Sequence, residues 1–276
     1  MSRLISLASG VLPEFSATQV ANAAVQGGWP AVGLWVAPPN WSARTTSEVR
    51  RIVEEGGISV LDVEVIWLQP GEADPDHLRI MDIGAEVGAT NVLVVSSDTD
   101  AGSATAKFAA LCAHGEALGL RVALEFGYFT EVRSLQQAMA IVGAVASPAG
   151  AILIDPLHLE RTGGTAREVA DIPRDLLPYA QFCDAWNRGP GAGPDDVAGI
   201  VEEAIDQRLM CGAGCLPQIE LLAALPAMAP LSIEIRSKRL RETFPDPVAR
   251  SRTVLEATRA FLERVPETRA WSDSAH

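Results

Sequence analysis

The chain has 276 residues, 48% of them hydrophobic, with 22 Lys and Arg against 35 Asp and Glu for a formal charge of −13. That length and apolar content suit one large α/β barrel or two smaller domains. The acidic balance disfavours nucleic acid as a partner, because binding a phosphate backbone is mainly a cationic effect.

The first ten residues carry one basic group and an apolar run too short to cross a membrane, so they read as a first strand. A cytoplasmic protein without a membrane partner is expected. The cysteines Cys112, Cys183, Cys211 and Cys215 contain no C-x-x-C pair. Reduced thiols are therefore expected rather than a disulfide framework.

Short β runs alternate with amphipathic helical runs. Strands are expected over 4–9, 31–36, 60–67, 91–97, 121–126, 151–155, 179–183 and 231–235. Helices are expected over 16–26, 47–55, 76–87, 104–118, 134–145 and 247–264, with Gly88 and Gly119 as stop signals. Eight strands alternating with helices is the count for a (β/α)₈ barrel, here one domain over 1–276. Strand parity agrees: Ser232, Glu234 and Arg236 share one face of the last strand, and Asp62, Glu64 and Ile66 share one face of the third. Irregular stretches over 35–44 and 184–194 follow strands, so the barrel sets them at its mouth. Trp35, Trp41 and Trp186 there suit a sugar or ring face, or else pack under the loops.

Four late runs end on a metal-competent side chain: RVALE at Glu125, AILID at Asp155, YAQFCD with Gln181 and Asp184, and LSIE at Glu234. Parallel strands closed into a barrel bring such ends together. Buried carboxylates need positive compensation, and a divalent cation compensates several at once. Pro156 forces the chain out of the sheet, so His158 folds back over the mouth. The other histidines, His77, His114 and His276, lie in helical runs or at the tail. Glu234 is flanked by Ile233 and Ile235 and is either a ligand or the partner of Arg236 in a structural ion pair.

The motifs LEFGYFTE, DPLHLERTGGT, YAQFCDAW and CGAGCLPQIELL with PLSIEIRSKRL resemble the sugar phosphate isomerase/epimerase group of xylose isomerase-like barrels. The resemblance is specific from about 121 to 240 and weaker, through GWPAVGLWV and VLDVEVI, before that. It implies a (β/α)₈ barrel holding one divalent metal, foremost Mn²⁺, with Mg²⁺ or Co²⁺ as alternatives. Glu125 and Glu234 resemble the two metal-bound glutamates that flank the substrate, and Asp155 the metal-binding aspartate. Gln181 stands where the family usually has the histidine of His-x-x-Asp; its amide oxygen is still a donor to a hard cation. His158 resembles a residue contacting a substrate oxygen. Glu131 resembles a substrate-contacting carboxylate, and Arg188 lies one position from a substrate-contacting arginine.

The implied activity is metal-dependent isomerisation or epimerisation of a small polyhydroxylated carbonyl compound, with Glu125 and Glu234 moving the proton. A dehydratase of the 3-dehydroshikimate type shares the same first proton abstraction, and a barrel without metal or catalysis is a further alternative. Phosphoester hydrolysis of the endonuclease IV type needs more histidines than this chain has. Arg161, Arg188, Arg236 and Lys238 are compatible with an anionic group on the substrate, or with ordinary surface charge. Self-association is open.

Overall fold

The computed structural model describes residues 3–187 and 196–265. Eight parallel strands, β1 Ile5–Leu7, β2 Ala31–Trp35, β3 Ser59–Leu68, β4 Asn91–Ser96, β5 Arg121–Glu125, β6 Gly150–Leu153, β7 Ala180–Phe182 and β8 Leu231–Ile233, form one sheet. Its order is β6-β5-β4-β3-β2-β1-β8-β7. The two ends meet at a parallel bridge between Ile154 and Ala180, where the Gln181 amide donates to the Ile154 carbonyl at 2.9 Å. This is a TIM barrel.

Helices lie between the strands: α1 Ala17–Gly27, α2 Ala43–Gly56, α3 Asp76–Glu86, α4 Ala101–Leu118, α5 Leu135–Val145, α6 Pro156–Arg161, α7 Ala166–Ala170, α8 Val197–Asp206, α9 Gln218–Ala224, α10 Lys238–Thr243 and α11 Pro247–Arg264. Local chemistry sets their starts. Ser16 and Gln19 form a reciprocal capping box at α1. Ser42 and Thr45 do the same at α2, so that helix begins at Ala43 rather than at the expected 47. Asp100 caps α4 three residues ahead of the expected start at 104. The short α6, α7, α8, α9 and α10 lacked a long enough apolar period to be read from sequence. No helix among the described residues is long and apolar enough to cross a membrane.

The main core lies between strands and helices and includes Val32, Leu34, Val63, Val122, Leu124, Ile152, Phe182 and Ile233. A second cluster, with Ala31, Leu61, Leu93, Ala123, Ala151, Leu153 and Tyr179, packs inside the barrel. On β5 and β6 its members precede Glu125 and Asp155 by two residues, so they fill the layer beneath those carboxylates.

One parity expectation is corrected. Pairing slips on β3 between Val60 and Asp62 and again between Val63 and Ile66. Each extra residue resets the alternation. Leu61 and Asp62 therefore both face inward, while Ile66 packs into the helix-side core with Val63 instead of sharing the face of Asp62 and Glu64.

Candidate active site

The strand ends deliver a buried, mostly acidic cluster. Glu125 closes β5, Asp155 follows β6, Gln181 lies in β7 and Glu234 follows β8; each is under one-tenth exposed. Asp62 and Glu64 of β3 join them from the opposite wall. Ligand atoms of Glu125, Asp155 and His158 lie within 4.8 Å of one another.

Asp155 serves two neighbours at once. Its Oδ1 accepts from the amides of Leu157 at 2.7 Å and His158 at 3.1 Å, capping α6 behind Pro156. Its Oδ2 accepts from Arg208 Nη1. The same Nη1 lies 3.1 Å from Glu234 Oε2 and 3.3 Å from Cys183 Sγ, and Nη2 lies 3.5 Å from His158 Nε2. Arg208 is 3% exposed and is held from behind by its Nε, which donates to the Ala204 carbonyl at 2.8 Å. Sequence reasoning missed this residue. The available signal was a lone basic group opening the irregular stretch before Cys211, in a chain whose strand-end carboxylates lacked an internal counter-charge.

Electrostatics follow from this geometry. Burial first, then the charges of Asp155 and Glu234, push the Glu125 carboxyl well above the ordinary range. Asp62 is likewise raised by burial and by Glu64 and Glu234. Glu64 is raised to about 7 by burial and Glu234, despite the hydrogen bond from Ser9 Oγ. Burial also pulls His158 down to about 4, so its ring is neutral at physiological pH. Burial acts to raise Asp155 too, but the Arg208 charge and the hydrogen bonds it accepts bring it below its ordinary value. One buried guanidinium thus faces five buried carboxyl groups.

Three buried oxygens of the cluster, Asp62 Oδ1, Glu125 Oε1 and Gln181 Oε1, have no hydrogen-bond partner among the described residues. Unsatisfied buried acceptors beside an excess of negative charge suit a cation. The donor set of carboxylates, an amide oxygen and a neutral imidazole fits a divalent metal ion.

Beside Glu234 opens a cavity of about 520 Å³, lined by Ser9, Gly10, Phe15, Trp35, Asn40, Trp41, Arg44 and Arg236, among others. Gly10 makes the junction: a Cβ there would lie 2.8 Å from Arg236 Cγ and 2.9 Å from Glu234 Oε1. The volume is that of a small-molecule site.

The sequence matches the xylose isomerase-like TIM barrel family over residues 21–264. The chain belongs to that family. Among solved structures, the IolI protein with a bound zinc atom aligns with 96% of this chain and 99% of its own, at 14% identity and a TM-score of 0.81. A fusion of a xylose isomerase-like barrel with a 4-hydroxyphenylpyruvate dioxygenase aligns with 95% of this chain at 21% identity and a TM-score of 0.77. This chain spans only 44% of that fusion's length. D-Psicose 3-epimerase from Clostridium cellulolyticum H10, solved with D-tagatose, aligns with 94% of this chain and 99% of its own, at 11% identity and a TM-score of 0.68. At these identities the likeness shows the fold alone. No curated protein matches the sequence.

Against this xylose isomerase-like frame, the expected residues divide. Glu125, Asp155, Gln181 and Glu234 are all buried at the strand ends, and a His158 ring nitrogen lies within 4.8 Å of ligand atoms of Glu125 and Asp155. Arg236 borders the cavity, with its Nη1 4.0 Å from Glu234 Oε1 and its buried Nε without a partner. Glu131 is instead a surface group, paired with Arg133 at 3.0 Å. Two-residue spacing favours that local pair over a reach into the barrel. Trp186 is 58% exposed. Arg161 is engaged by Glu203 and the Trp186 carbonyl, so it offers little to a ligand. Arg188 lies outside the described residues. Asp184 spends both carboxyl oxygens on the amides of Ala185, Gly214 and Leu216, which anchor the loop before α9.

Proposed function

We propose that the chain is a divalent-metal-dependent isomerase or epimerase of a small polyhydroxylated carbonyl compound. The observation that carries this reading is the pairing of Glu125, whose Oε1 is buried and unpartnered, with Glu234, whose Oε1 reaches the cavity edge at Gly10. The domain 1–276 is read as a single catalytic unit of this kind. The sugar-bound D-psicose 3-epimerase and the zinc-bound IolI share its fold and support the same reading.

Glu125, Asp155, His158, Gln181 and Glu234 would hold the ion. When bound, it supplies Lewis acidity toward a carbonyl and its neighbouring hydroxyl, and a positive charge that offsets the burial and like charges raising Glu125. Glu234 Oε1 accepts a proton from the carbon between those two groups. Glu125, from another strand of the barrel, returns a proton: to the same carbon for epimerisation, or to its neighbour for isomerisation. Trp35 and Trp41 line the cavity and offer flat faces to a sugar. Arg236, on the cavity side of Glu234, orients an oxygen or an anionic group of the substrate.

The test is carbon–hydrogen exchange. Protein loaded with Mn²⁺ is incubated in D₂O with ketoses, inositol ketones and dehydroshikimate, and deuterium incorporation is read by mass spectrometry and NMR. A ketose or cyclitol that exchanges and returns an isomeric product supports the proposal. Loss of water from dehydroshikimate instead makes the chain a lyase. Glu234→Gln should lower exchange by roughly two orders of magnitude. Undiminished turnover in that variant, with no isotope effect on an α-deuterated substrate, removes the mechanism.

A further inference from the structure

Arg208 Nη1 stands where the carboxylates of two different strands meet. It touches Asp155 Oδ2 after β6 and lies 3.1 Å from Glu234 Oε2 after β8. Both acids belong to the donor set that the preceding section assigns to a divalent ion. Asp155 has no oxygen to spare, because Oδ1 is already committed to two amides of α6. Any ion that takes Asp155 through Oδ2 takes the oxygen that Arg208 holds. The guanidinium is 3% exposed and its ion pairs form without solvent between the partners. Two further acceptors of the proposed donor set, Glu125 Oε1 and Gln181 Oε1, have no hydrogen-bond partner among the described residues.

We propose that Arg208 is the resident cation of this site, and that a divalent ion binds only by displacing its guanidinium from Asp155 and Glu234. The protein thereby keeps a charge-compensated, folded barrel without metal. Metal and Arg208 compete for the same two carboxylates, so each weakens the other's hold. Among the described residues, the side chain is anchored through Nε to Ala204, besides the contacts made at its tip, so the tip can leave while the stem stays held.

This inference rests on the proposed metal site but not on the proposed reaction, so its test uses no substrate. Wild type and Arg208→Met are stripped with chelator and titrated with Mn²⁺ by calorimetry. Arg208→Met should bind Mn²⁺ about tenfold tighter or more. Its metal-free form should melt well below wild type and recover on adding Mn²⁺, since two buried carboxylates lose their partner. Equal or weaker binding by a folded Arg208→Met overturns the proposal.

Should Arg208→Met not fold with or without metal, wild type decides. Phenylglyoxal labelling of the Arg208 peptide, read by mass spectrometry, should rise when Mn²⁺ is bound. Unchanged or lower labelling in the Mn²⁺-saturated protein overturns displacement while leaving the metal site standing. If neither protein binds Mn²⁺ or Zn²⁺, the metal site itself falls, and the proposal with it.

Discussion

Arg161 grips Glu203 with two bonds, Nε to Oε2 at 2.9 Å and Nη2 to Oε1 at 2.7 Å, and both side chains are under one-tenth exposed. The pair joins α6, which carries His158, to α8, which leads into Arg208. It therefore fixes two sides of the acidic cluster relative to each other without touching the cluster.

Arg161→Ala should be costly, because it removes two charge-assisted hydrogen bonds from a buried carboxylate. A loss of about 3 kcal/mol is expected, which in a chain of this size lowers the melting temperature by roughly 5–10 °C. Thermal unfolding followed by circular dichroism measures it. A shift below about 1 °C would place the pair among ordinary surface bridges.

Gln181→His should tighten Mn²⁺ binding, about tenfold, since imidazole is a stronger donor than an amide for this ion. Gln181 is 1% exposed and its Oε1 has no hydrogen-bond partner among the described residues. Calorimetric titration of both proteins checks this. Equal or weaker affinity in the variant means that Gln181 is not a ligand.

Glu64 supplies a pH signature. Its carboxyl is raised from 4.5 to about 7, so the folded state holds this proton more tightly than the unfolded chain does. Stability is then lost as pH rises from about 4.5 to about 7, and the full penalty persists above that. Glu64→Gln keeps an acceptor for Ser9 and removes the charge. In chelator, the variant should gain up to roughly 3 kcal/mol over wild type at pH 8 and almost nothing at pH 4. Urea unfolding across that range gives the difference; a gain that is constant with pH would assign the effect to packing instead.

Gly10 tests the junction between the cavity and Glu234. Gly10→Ala drives a methyl toward Glu234 Oε1 and Arg236 Cγ, at 2.9 and 2.8 Å before relaxation. Exchange of substrate hydrogen should fall about tenfold or more, because a small misplacement of a reacting group is expensive in rate. Gly143→Ala in α5, where nothing lies within 4 Å of the added atom, serves as the control and should leave the rate unchanged.

The barrel was legible because its two periods, alternating strands and intervening helices, are local patterns. The strand-end acids were legible for the same reason: each stands directly after an apolar run. The helices after β6 and β7 were not, since pieces of five to ten residues show too few turns to establish a period. The β3 face was misread at Ile66 because a slip in pairing leaves no mark in one strand's own sequence. Arg208 escaped because its role is set by convergence. Nothing in QRLMCGAGC says that two acids, 53 and 26 residues away, will close on one guanidinium nitrogen.

The acids, the amide and the arginine of the cluster come mostly from β5 to β8 and the segments after them, whereas the cavity wall of Trp35, Asn40, Trp41 and Arg44 runs from the end of β2 to the first turn of α2. In the proposed reading, most of the recognition wall thus lies apart in sequence from the two proton-transfer glutamates, with Arg236 as the exception. Exchanging residues 35–44 for another sequence should retarget the barrel while leaving its charge balance intact. That stretch is then where what the barrel accepts can change without disturbing the acids that would carry the reaction.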